Sequence, residues 1–183
     1  MKYRFKINQT EEDFYKFNEF VILRSPDGKK SLRTMRMSTT VIIGIFALIT
    51  LATRGITRES IIGVIPLLIL LAAVQLLIKP MMRSTLKNHI KTMKQTGRLA
   101  FSPESVMEFY EESFTEETPE NKNEHKYSAV ERVSVMKDGV VYIHLNSAMA
   151  YIVTPESFRS EEEKSEFVAF LREKVSDVKE YSK

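Results

Sequence analysis

The chain has 183 residues, 43% hydrophobic and 28% charged, with a net charge of +3 and no cysteine. That length fits about one domain with an appendage. The missing cysteine excludes a disulfide framework, a thiolate metal site and a cysteine nucleophile. The net charge conceals a split: residues 1–98 carry 17 Lys/Arg against 6 Asp/Glu, while residues 99–183 carry 10 against 18.

The first 36 residues are mixed and charged and read without a signal peptide. Tyr3, Phe5 and Ile7 alternate with basic residues, the period of a half-buried strand. A helix is predicted next. Thr10 is its N-cap, Glu11, Glu12 and Asp13 occupy the first turn, and Phe14, Phe17 and Val21 share a face. Ser25-Pro26-Asp27-Gly28 has turn chemistry and is expected to stop that helix.

The composition then changes. Between Thr39 and Ile78 the only charges are Arg54, Arg58 and Glu59, and in Ile61–Ile78 the only polar side chain is Gln75. A helix of that length rises roughly 26 Å, close to the roughly 30 Å hydrocarbon core of a bilayer. Two core helices of a soluble protein would keep a polar face, and these stretches are apolar all round. The expectation is a transmembrane hairpin with spans at 37–53 and 61–78 and an outer loop at 54–60. Lys29, Lys30, Arg33 and Arg36 precede it, and Lys79, Arg83, Lys87, Lys91, Lys94 and Arg98 follow. Positive charge stays inside, so both termini are expected in the cytoplasm, with the protein in the cell membrane as a two-span chain. Gln75 is a candidate interhelix contact.

Residues 79–97 are predicted to continue as a basic helix. Arg83, Lys87, Lys91 and Lys94 recur at helical spacing beside Met82, Leu86, Ile90 and Met93. The four bases are candidates for contact with anionic lipid, beside their simpler role as positive-inside flank.

From residue 98 the pattern becomes β. Strand candidates are Leu99–Phe101, Val106–Tyr110, Val133–Met136, Val140–Leu145 and Met149–Val153. Residues 111–124 are expected to be an exposed acidic hairpin or loop, and Lys137-Asp138-Gly139 a hairpin turn. Ser160 with Glu163 forms a capping box that opens a final helix. Its apolar face is expected to run through Phe167, Phe170, Leu171, Val175 and Val178. The chain therefore reads as an N-terminal strand–helix segment (1–36), a hairpin (37–78), a basic helix (79–97) and a β-rich domain (98–183).

That layout resembles the YcxB-like family of bacterial membrane proteins. Three local patterns carry the likeness: Phe101-Ser102-Pro103-Glu104-Ser105-Val106, Tyr127-x-x-Val130-x-x-Val133, and Ala150–Phe158 with its Pro155. The family's aromatic in the second pattern is usually Trp, and its last strand ends in a Pro-Lys segment; here Tyr127 stands for the Trp, Pro155 falls one position later and the Lys is absent. The resemblance implies an α+β membrane protein in which a two-helix transmembrane hairpin carries a cytoplasmic antiparallel β domain. That domain is similar to pleckstrin-homology modules and is capped by a C-terminal helix. The resemblance supplies no catalytic residue.

Chemistry is sparse. The six glycines are isolated, so no phosphate-binding loop is present. His89, His125 and His144 lie far apart, without metal-ligand spacing. No cofactor, metal or nucleic acid is expected. The expected function is non-enzymatic: a membrane-anchored binding or scaffolding module whose partners are the bilayer, anionic lipid, and a membrane protein or a second copy of the chain. The alternatives are an accessory or immunity protein against a membrane-active peptide, and an enzyme on a lipid or membrane substrate. A buried polar cluster in the folded domain would favour the enzyme.

Overall fold

The computed structural model describes residues 1–97, 101–147 and 149–181. It is an α+β chain whose contacts divide it into two compact units: residues 1–18 with 90–183, and residues 19–89.

In the first unit, β1 (Tyr3–Asn8), β2 (Glu104–Phe109), β3 (Ser113–Glu117) and β4 (Lys122–Lys126) form an antiparallel sheet in that order. The predicted N-terminal strand is thus an edge strand, with Tyr3 opposite Phe109 and Asn8 opposite Glu104. The acidic stretch after residue 111 is a hairpin, β3–β4, with Glu117 opposite Lys122. A second sheet has the order β7-β6-β5-β8, from β5 (Arg132–Met136), β6 (Val141–His144), β7 (Ala150–Val153) and β8 (Val178–Tyr181). Gly139 (φ +91°) closes the β5–β6 turn in a conformation that a side chain would strain. The strand candidate at Leu99 and Ala100 lies outside the described residues, and Phe101 is not in a strand.

Both sheets and helix α4 (Glu161–Lys174) share one core. Phe167 of α4 is its hub, with ring centroids 4.9 Å from Phe5, 4.7 Å from Phe109 and 5.3 Å from Tyr3. Ser160 caps α4 as expected: its Oγ accepts from Glu163 N–H at 3.3 Å, and the Glu163 carboxylate accepts from Arg159 N–H at 2.6 Å. The helix is shorter than its apolar residues suggested. Val175 is already extended, and the chain turns into β8, where Val178 pairs in parallel with Val133. The expected C-terminal helix is α4, but β8 follows it and pairs in parallel with β5, so the domain is not purely antiparallel. Val178 is apolar because it packs against the shared core from a strand.

Helix α1 (Glu11–Leu23) begins at Thr10, whose N–H and hydroxyl both donate to Asp13 while its Oγ1 accepts from Asp13 N–H. Its Phe17 covers the outer face of the second sheet, 5.2 Å from the Tyr142 ring and 5.9 Å from the His144 ring.

The second unit is built on α2 (Pro26–Arg54) and α3 (Arg58–Gln95). The predicted turn at residues 25–28 is a helix start as well as a stop. Ser25 Oγ accepts from Gly28 N–H at 3.0 Å and donates to Val21 O at 2.6 Å. Pro26 sits at the first helical position, where its missing donor costs nothing. Both helices extend beyond the predicted spans. α2 starts back at the Ser25 cap, and α3 runs on past residue 78 with Pro80 inside it. At 29 and 38 residues they measure about 44 and 57 Å. Each is long and apolar enough to cross a membrane, and only 6% of each apolar window is buried within the protein.

Candidate functional site

The sequence-predicted residues fall in two places. Gln75 joins α3 to α2: its Nε2 donates to Arg36 O at 3.2 Å and to Thr40 Oγ1 at 3.1 Å, and Arg36 Nη2 donates to Gln75 O at 3.0 Å. Two of the four bases on α3 meet acids of α1: Arg83 Nε lies 2.6 Å from Glu19 Oε1, and Lys94 Nζ lies 2.5 Å from Glu11 Oε1. Lys87 and Lys91 are exposed on the same helix. The helical unit also holds an apolar groove of about 650 Å³, walled by Ile22, Val74, Ile78 and Leu86, with Thr39 and His89 at its polar points.

The α+β unit contains polar features that residue spacing did not reveal. On the covered face of the second sheet, Ser134 and His144 are fully buried, and Ser134 Oγ lies 3.1 Å from His144 Nε2. Arg132, 5% exposed, shares this face. Burial, and then the nearby Arg132 guanidinium, hold the His144 imidazole neutral, with its pKa lowered from 6.5 to about 4. A serine beside a neutral imidazole has the donor–acceptor relation of an activated nucleophile. Phe17 and Tyr142 close over it, however, so a substrate atom has no approach to Ser134 Oγ.

An open pocket of about 600 Å³ lies in the same unit. Phe114 and Glu116 share one face of β3, and opposite Glu116 stand Met107 and Asn123. The strand places Phe114 in the core and leaves Glu116 half-buried on the pocket floor. Burial pushes the Glu116 carboxyl above the usual carboxylate range, against hydrogen bonds from Asn123 and Ser105 that favour its charged form. Tyr151 of β7 lines the pocket too. Its hydroxyl lies 2.8 Å from His125 Nε2, and burial, helped by the Glu116 charge, pushes its pKa up to about 12. Phe14 and Phe101 stack with centroids 5.0 Å apart and complete an aromatic wall. Among the described residues that line this pocket there is no Lys or Arg. Glu116 was expected in a solvated acidic loop; the pattern that marks it is the alternation Phe114-x-Glu116 on a strand. Among the described residues no group of three or more His, Asp or Glu is placed to hold a metal ion.

Two four-stranded sheets around a helix, together with two long apolar helices, define the class: an α+β protein with a helical appendage. Within that class the chain carries a YcxB-like domain: the family model described as YcxB-like protein matches residues 109–171. The match runs from the end of β2 into α4 and includes two of the three local patterns, those at Tyr127 and at Ala150–Phe158. Neither the curated proteins nor the solved structures give a significant match to the chain.

Proposed function

We propose that this protein is a membrane-anchored binding module. In this reading α2 and α3 cross the bilayer as a hairpin, both termini lie in the cytoplasm, and a pleckstrin-homology-like domain is held at the inner leaflet. One observation carries the anchoring. Phe46, Leu48, Ile69 and Leu76 are each more than half exposed, and only 6% of the apolar window of either helix is buried. Fully burying one such side chain is worth about 1.5–3 kcal/mol, so leaving a whole hairpin of them in water would cost more than a domain's net stability. Lipid removes that cost.

The α+β unit supports binding over catalysis. Its Ser134–His144 pair is sealed beneath Phe17 and Tyr142, whereas the pocket at Glu116 and Tyr151 is open and, among the described residues, its lining includes no histidine. The stripe of Arg83, Lys87, Lys91 and Lys94 follows the apolar window of α3 and supplies the positive charge that fixes orientation and draws anionic headgroups.

Membrane fractionation of the full chain, with reporters fused at residue 57 and at the C-terminus, tests this. The chain should resist alkaline extraction, and the two reporters should fall on opposite sides. Changing the four bases to Gln should mix the orientations. Recovery of the wild-type chain in the soluble fraction would overturn the anchoring, and an outward-facing C-terminal reporter would overturn the topology.

A further inference from the structure

The open pocket of the α+β unit combines one carboxylate with electron-rich rings. Glu116 lines it, and so do the half-buried Phe14, Phe101 and Tyr151. Asn123 and Ser105 hydrogen-bond to the Glu116 carboxylate and fix it, and a carboxylate with about four lone-pair sites still accepts further donors. The described lining contributes no Lys or Arg that would occupy the carboxylate from within. A ring face attracts a cation within about 6 Å, and the attraction grows as water is excluded. A volume of about 600 Å³ lies within the range of small-molecule sites.

We propose that this pocket binds a small organic ammonium cation, with Glu116 as the counter-charge and Phe14, Phe101 and Tyr151 as the aromatic enclosure. The inference rests on reading the α+β unit as a binding module, and it holds whether or not the helices cross a membrane. An anion is disfavoured by the same features, because Glu116 and the negative faces of the rings repel it. The burial that raises the Glu116 pKa also fits the assignment, since a bound cation stabilises the ionised carboxylate there. The cation has two sources with the same chemistry: a free amine, or the ethanolamine headgroup of a lipid.

Met107 and Met149 line the pocket and report on it among the nine methionines of the chain. The experiment is methyl NMR of the full chain labelled at methionine, in a maltoside detergent that carries no ammonium group. Choline is titrated against 3,3-dimethylbutan-1-ol, its neutral carbon isostere. Choline should shift the Met107 and Met149 signals saturably in the millimolar range, and the neutral alcohol should not. Glu116→Gln, which removes the charge and can still accept from Asn123 while donating to the Ser105 hydroxyl, should weaken choline binding about tenfold, and Phe101→Leu severalfold. The remaining methionine signals show whether each variant is folded. In nanodiscs, a shift that requires ethanolamine-headgroup lipid identifies the lipid as the source, and a shift seen only with added amine identifies the free cation. Equal shifts with the neutral isostere, no shift with choline, or undiminished binding by a folded Glu116→Gln variant would overturn the proposal. A chain that binds choline but fractionates as soluble would overturn the anchoring alone.

Discussion

Acidifying the protein from neutral pH toward pH 4 forces a proton toward His144, which the fold holds neutral. In the unfolded chain its pKa is near 6.5, and in the native unit it is about 4. Between those values the unfolded chain binds one more proton, so stability rises with pH there, at about 1.4 kcal/mol per pH unit. The contribution is fully present above pH 6.5 and is lost as the pH falls to 4; the whole gap corresponds to about 3 kcal/mol. Glu116 opposes it, because its raised pKa gives a contribution that fades as pH rises. Glu111 and Glu117, lowered by Lys174 and Lys122, lose theirs only below the ordinary carboxylate range. His144→Gln removes the titration and leaves these carboxylates in place. All seven tyrosines lie outside residues 19–89, and the sequence has no tryptophan. Tyrosine fluorescence during urea unfolding of the full chain in maltoside therefore reads the α+β unit alone. The wild type should lose about 2–3 kcal/mol between pH 6.5 and 4 that the variant does not lose. Parallel pH dependence in the two proteins would refute the assignment.

Three further outcomes are expected. A Cβ at Gly28 would lie 2.2 Å from Val21 O and 2.5 Å from Ile22 O. Gly28→Ala must therefore shift backbone at the α1–α2 corner, and should destabilise the helical unit by about 1–3 kcal/mol in thermal melts followed by far-ultraviolet circular dichroism. Gln75→Leu removes the bonds to Arg36 O and Thr40 Oγ1 and should cost about 0.6–2 kcal/mol. A double-mutant cycle with Thr40→Val measures the Thr40 share, and strict additivity would show that the two side chains are uncoupled. Ser160→Ala should lower the stability of the α+β unit by about 1 kcal/mol, and Ser160→Asp should restore it, because only the cap on α4 distinguishes them.

Elements with a local cause were legible in the sequence. Thr10 and Ser160 cap helices where their side chains and acidic followers said they would. The Asp138-Gly139 turn and the apolar runs of α2 and α3 needed no knowledge of distant residues. Failures came where one residue type serves two structures. Ser25-Pro26 stops one helix and starts the next, because a serine cap and a proline at the first position look the same as a turn. Val178 keeps the helical spacing of α4 yet belongs to β8, since a strand against the same core demands the same apolar side chain. Of the candidate site, the bases on α3 and Gln75 were visible as isolated polar residues beside apolar ones. The pocket was not. Glu116, Tyr151, Phe14 and Phe101 come from four separate parts of the chain, and only sheet pairing and the packing of α1 bring them together.

The pairing of Tyr3 with Phe109 also sets an order of events during synthesis. The first strand of the sheet emerges before either apolar helix, but its partner follows only after both have been made. The second sheet waits longer, because β8 is the last strand and its neighbour β5 precedes α4. Native contacts of such long sequence separation form slowly, and no early fragment of the α+β unit can bury Phe5 or Val133 in its final core. The nascent chain therefore carries β1 as an unpaired edge while α2 and α3 are translated, and an unpaired edge invites aggregation. Arg4 and Lys6, which alternate with its apolar residues, and Lys2 just before it place positive charge along that strand and oppose its aggregation until β2 arrives.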